Sequence, residues 1–254
     1  MHYLNRITFW QLIFITLITS LSAQNINSRD YYRTAGELGV FLYLQYGLHT
    51  DVSNLGEMKP NNFDNYFRDR SRWSLENMET AKNASDLLLY GIFVGSIPIT
   101  PLLSKDDYMS MLLTNLEVMS LNGTVTNIVK NIVKRQRPAS YFKTRDEGED
   151  AYRSFFSGHT STAFAIGTSN AIMLSRNYPN RKTQIWTGAM GLAVATGYFR
   201  LAADKHYMSD VITGAITGVL IGRFVQNKRS RDYLTVNLSE RAQSVELRIA
   251  FKVN

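Results

Sequence analysis

Three separated stretches of this chain carry residue types that together could perform phosphoryl transfer. Lys130 and Arg137 stand seven residues apart, which on a helix returns nearly to the same face two turns along. Pro138 closes that helix and fixes the exit of Arg137. Ser157-Gly158-His159 precedes a run of small residues. A serine there caps a helix, a glycine lets backbone N–H groups approach an anion, and His159 could give a proton to a leaving oxygen. His206 and Asp210 are four apart and share a helical face. A carboxylate on one ring nitrogen fixes the tautomer and leaves the other nitrogen nucleophilic. Arg200, placed in the turn before that helix, offers planar, bidentate recognition of phosphate oxygens. Each cluster alone has a plainer reading. Lys130 and Arg137 could be a solvated basic face shared with Lys134 and Arg135. Ser157-Gly158-His159 could be a helix cap with a stray histidine, and His206 with Asp210 an exposed pair beside the loop charges Asp204 and Lys205.

The elements that must position these residues are helices. Leu87 to Ser104 carries no charge, with Pro98 and Pro101 expected to kink or end a helix. Met109 to Val133, Gly158 to Ser175, Thr183 to Phe199 and Val211 to Gly222 read as apolar helices. The pattern predicts an all-α bundle of five to six core helices over 81–230, embedded in a membrane. Buried helices of a soluble bundle share this composition, rich in Gly, Ala, Ser and Thr. Residues 24–80 read as an irregular or partly helical lead-in. Residues 231–254, where Leu234, Val236 and Leu238 alternate and Val245 to Val253 follow the same period, read as a β-hairpin after a basic stretch that ends the last helix. The start, 1–23, has the layout of a secretory signal or an uncleaved anchor: Arg6, then an uncharged apolar run ending in small residues at Ala23. It implies a bacterial cell envelope, in the inner membrane with the site facing the periplasm, or a soluble periplasmic form.

Composition narrows the chemistry. The chain has 254 residues, 44% of them hydrophobic, a net charge of +7, four histidines and no cysteine. A sizeable core is available, and an anionic partner is favoured. Disulfides, thiolate metal sites and cysteine nucleophiles are excluded, a histidine-rich metal cage is not expected, and no cofactor is implied. The basic residues do not interleave with aromatics as in single-strand binders, so nucleic acid is not an expected partner.

Taken in order, Lys-x6-Arg-Pro, Ser-Gly-His and Arg-x5-His-x3-Asp over residues 85–225 resemble the type-2 phosphatidic acid phosphatase superfamily. That group includes lipid phosphatases, secreted bacterial acid phosphatases and vanadium haloperoxidases. The resemblance implies that Lys130, Arg137 and Arg200 bind phosphate oxygens, with Ser157 and the Gly158 amide completing the cradle. His206, oriented by Asp210, would form a phosphohistidine, and His159 would protonate the departing alkoxide. No metal is implied. Phe156 and Phe199 stand where the family usually has proline and serine, and could line an apolar substrate entrance. The expected substrate is a lipid phosphate or diphosphate. Broad-specificity soluble phosphatase, vanadate-dependent haloperoxidase and a non-catalytic envelope protein are the alternatives.

Overall fold

The computed structural model describes residues 28–47, 55, 58–105 and 108–235. The expected signal or anchor at 1–23 and residues 236–254 of the expected hairpin lie outside them. Helix α1 (Ser28–Tyr46) runs alongside α5 (Tyr108–Val133) in the same direction. Arg33 pairs with Glu117 at 3.2 Å near one end, and Asn127 Nδ2 donates to Gln45 Oε1 at 3.0 Å toward the other. Gly123 permits this approach, because a Cβ there would fall 2.2 Å from the Phe41 ring.

The lead-in contains a second helix, α2 (Asn62–Ser71), capped by Asn61, whose side chain accepts from Asp64 N at 2.8 Å. Helix α3 (Met78–Gly91) continues through a π-turn, Ile92–Ser96, into α4 (Ile97–Leu103). The prolines bend the helix without ending it. Pro101 has no N–H for the carbonyl of Ile97, and Asn115 of α5 supplies the missing donor, reaching the Ser96 and Ile97 carbonyls at 3.3 Å each.

A short turn, α6 (Pro138–Tyr141), leads to α7 (Gly158–Asn177), α8 (Lys182–Ala202) and α9 (Met208–Thr235). Helix α9 lies on α7 along Gly214, Gly218 and Gly222. A Cβ on these would stand 2.7, 2.3 and 2.5 Å from the carbonyls of Ser157, Ser161 and Ala165, so the backbones touch and only glycine fits. The opposite face of α9 presents Ile212, Ile216, Leu220 and Phe224 to the surroundings, Leu220 at 61% exposure. On the α3–α4 rod, Leu87 is 71% exposed and Leu102 69%. These two rods, Met78–Leu103 and Met208–Lys228, are long and apolar enough to cross a membrane. Their inner faces are packed in the bundle, while an apolar row on each outer face is exposed.

Helix α9 does not stop at the basic stretch. It continues to Thr235, so Leu234, the expected first residue of the hairpin, is helical. Lys, Arg and Gln are good helix formers, so the basic stretch continues the helix. The described residues are therefore helix and loop without strand.

Candidate active site

The residues singled out from the sequence gather at one end of the bundle. This end is formed by the carboxyl ends of α5 and α8, the amino ends of α7 and α9, and the middle of α3. Lys130 ends α5, and a Cβ on Gly158 would sit 3.5 Å from its Nζ. The ammonium thus lies against the first turn of α7. Ser157 caps that turn: its Oγ accepts from Thr160 N at 3.4 Å and shares a 2.8 Å hydrogen bond with Thr160 Oγ1.

Arg137 precedes Pro138 and is buried. Its Nε donates to the Asp150 carbonyl at 2.8 Å and its Nη1 to the Lys205 carbonyl at 3.3 Å, so two loops fix the guanidinium through their backbones. Arg200 lies in the last turn of α8, not in the following turn as expected, and is also buried. Its Nη1 donates to Ser85 Oγ at 3.1 Å and Asp86 Oδ1 at 3.3 Å, while its buried Nε finds no acceptor among the described residues. A buried guanidinium with an unmet donor is a costly arrangement that an anion would relieve.

His206 sits in the loop between α8 and α9. Its Nδ1 lies 2.8 Å from the Ser154 carbonyl oxygen. A carbonyl only accepts, so the proton is on Nδ1 and the lone pair is on Nε2. Asp210 Oδ2 is 3.7 Å from Nδ1, outside hydrogen-bond range. Asp210 instead accepts from Ser154 Oγ at 2.6 Å, Tyr207 N at 2.9 Å and Arg135 Nη1 at 2.6 Å. The carboxylate and the imidazole therefore share Ser154: the hydroxyl binds one and the carbonyl the other. His159 Nε2 lies 2.8 Å from Asp86 Oδ1, so Asp86 joins His159 to Arg200.

The charges of this end act on each other. Burial, then Arg137, Arg200, Lys130 and His159, hold the His206 imidazole well below its ordinary range, in the neutral form. Burial and Arg137 bring Lys205, which pairs with Glu147, down to about 8. Asp150 is held below the usual carboxylate range by Arg137 and Lys130, although burial pushes it the other way. Among the described residues no three His, Cys, Asp or Glu side chains gather as a metal site.

Three participants were not legible as such. Asp86 is the last charge before an apolar run, a boundary that could have marked it. Ser154 gives no signal. Arg135 reads as part of a basic face, yet it bridges Asp210 and Asp64 with 2.6 Å contacts to both. Asp204 is no simple loop charge either. It is buried and takes a bidentate pair from Arg68 at 2.7 Å, at a φ of 57° that aspartate tolerates. Phe156 is buried at 2% exposure, and Phe199 packs edge-on against Trp73 at 5.8 Å. Phe156 thus fills the core rather than an entrance.

The family model described as "PAP2 superfamily" matches residues 111–232. Over that stretch the chain is similar to the PAP2 superfamily. A lipid A 1-phosphatase of Porphyromonas gingivalis is 34% identical over 114 residues, covering 44% of this chain and 22% of that protein. The chain thus spans about a fifth of that relative's length. Among solved structures, a transmembrane PAP2-type phosphatidylglycerolphosphate phosphatase from Bacillus subtilis superposes with a TM-score of 0.52 at 21% identity, over 79% of this chain and 97% of that one. At that identity the likeness concerns the fold. LpxE of Aquifex aeolicus gives a TM-score of 0.36 at 21% identity over 75% of this chain and 94% of that one, too low to bear on it.

Proposed function

We propose that this protein is a membrane-embedded phosphatase that removes phosphate from a lipid phosphate or diphosphate, without a metal ion, through a phosphohistidine on His206. One observation carries the reading: Arg137, Arg200 and Lys130 all bear on a neutral, buried His206 whose tautomer leaves Nε2 bare. Three cations around a nucleophilic imidazole suit a tetrahedral oxyanion that gains charge on its equatorial oxygens as the reaction proceeds.

In the first step Nε2 of His206 bonds to phosphorus as the ester P–O bond breaks. His159, in its imidazolium form with Nε2–H held by Asp86, gives its Nδ1 proton to the leaving alkoxide. In the second step water, deprotonated by His159, attacks phosphorus, the P–N bond breaks and inorganic phosphate departs. The Ser154 carbonyl stabilises the Nδ1–H of His206 while Nε2 reacts, and Asp210 fixes Ser154 and the Tyr207 amide. Asp86 aligns the His159 ring.

The lipid preference draws on the exposed apolar faces of α3–α4 and α9, which also speak against the soluble alternative. The relative named as a lipid A 1-phosphatase supports the same substrate class. An envelope location with the site facing the periplasm draws on the signal-like start. The test is release of inorganic phosphate from phosphatidic acid in detergent micelles with EDTA present. Activity that needs an added divalent ion, or that survives unchanged in His206→Ala, overturns the mechanism.

A further inference from the structure

The loop between α6 and α7 carries four acids, and one of them faces Arg137. Glu147 pairs with Lys205 and Arg145, and Asp146 accepts from Gly148 N at 2.9 Å. Asp150 stands in a short 3₁₀ turn, Gly148–Tyr152. Its backbone carbonyl accepts from Arg137 Nε at 2.8 Å, which ties the residue to the cradle. Its carboxylate approaches without closing: Oδ2 lies 3.8 Å from Arg137 Nη2, and Oδ1 3.7 Å from Arg153 Nε. Both gaps exceed hydrogen-bond length, and the side chain is 60% exposed. The reaction scheme gives this carboxylate no task.

The two guanidinium groups are fixed from behind by neutral oxygens. Arg153 donates through Nη1 to Asn131 Oδ1 at 3.1 Å and through Nη2 to Asn127 Oδ1 at 2.8 Å, both on α5. Arg137 uses Nε and Nη1 on backbone carbonyls, and Nη2 is the nitrogen turned to Asp150. Such partners orient a cation and leave its charge in force. Lys130 lies close enough to both arginines and to Asp150 to interact with them electrostatically. A phosphate oxygen on Arg137 Nη2 must therefore come close to the Asp150 carboxylate, and like charges at that range repel even in water. The same two arginines draw the carboxylate in once phosphate has left.

We propose that Asp150 competes with phosphate for Arg137 and Arg153, and so weakens the hold on inorganic phosphate and speeds its release. The proposal rests on the phosphatase reading for what the cradle binds, and it assigns a residue that tunes how tightly. Asp150 does not touch the reacting atoms. Its exposed side chain makes no hydrogen bond among the described residues, so its replacement should leave the fold intact. A damaged site binds anions more weakly, whereas loss of a competitor makes them bind more tightly. The sign of the change separates the two.

The experiment measures the Ki of inorganic phosphate against p-nitrophenyl phosphate hydrolysis, in detergent at low salt, for wild type, Asp150→Asn, Asp150→Ala and Asp150→Glu. The expected result is a Ki lowered about threefold or more in both neutral variants and unchanged in Asp150→Glu, with the gain shrinking at high salt. Glu149→Gln, at an exposed neighbouring position, should match wild type. An unchanged or raised Ki in Asp150→Ala overturns the proposal. So does a gain confined to Asp150→Asn, which would come from the new amide donor. An equal gain in Glu149→Gln would reduce the effect to net charge and overturns it too. Titration calorimetry with inorganic phosphate gives Kd without turnover. Tighter binding in both neutral variants, in a protein that hydrolyses neither phosphatidic acid nor p-nitrophenyl phosphate, would keep the competitor role and sink the phosphatase reading. Hydrolysis with equal Kd values throughout would do the reverse.

Discussion

Ser154 joins His206 and Asp210, and this changes what each side chain should do when altered. Because His206 is neutral with its lone pair on Nε2, falling pH protonates it only well below the ordinary imidazole value of about 6.5. The acid limb of kcat/KM, which reports the free enzyme, should therefore lie below pH 6.5; a limb at or above that value contradicts the assignment. His159→Ala should lower turnover of phosphatidic acid by about 10²–10⁴-fold. The loss should be much smaller on p-nitrophenyl phosphate, whose phenolate departs without a proton. Asp86→Asn should show the same substrate pattern to a lesser degree, because Asp86 touches His159 and Arg200 but not the leaving oxygen. Equal losses on the two substrates would make Asp86 a purely structural residue. His159 and His206 stood out in the sequence by motif spacing and residue type. Their partners did not, since Asp86 and Ser154 lie 73 and 52 residues from the imidazoles they hold.

At the scale of elements, α2 is the piece that sequence periodicity undervalued. It reads as part of a polar lead-in, yet Arg68 clamps Asp204 in the His206 loop, and Asp64 accepts from Arg135, Ser209 N and Ser209 Oγ. Charged residues carry no helical or strand period, so long-range pairing of this kind leaves no trace in a hydrophobic pattern. Asp64→Ala would leave Arg135 with Asp210 as its one carboxylate and remove the acceptor of Ser209 N and Oγ, and the cost should be about 1–3 kcal/mol, measured by denaturant unfolding in detergent. A change under about 1 kcal/mol would mean that the pair is only a surface one. The apolar helices α5, α7, α8 and α9 were legible within a few residues, since each has a buried inner face. The end of α9 was not. The alternation from Leu234 is short, and a helix already running through Lys and Arg residues continues to Thr235.

For the whole molecule, the proposed membrane embedding would cover the exposed apolar rows on α3–α4 and α9 and set the end that carries His206 at one surface of the bilayer. The chain contains no cysteine, so a single Lys143→Cys change places one thiol in an exposed loop at that end. A membrane-impermeant maleimide should label it in intact cells if the site faces outward. Labelling only after lysis would reverse the orientation.

The central claim is that the phosphoryl group passes through His206. Rapid acid-free quenching during turnover of radiolabelled phosphatidic acid, followed by peptide mapping, tests it directly. The account predicts a base-stable, acid-labile phosphate on His206 in the wild type and none in His206→Ala. Steady phosphate release with no label on this histidine, or label that persists in the variant, would contradict it.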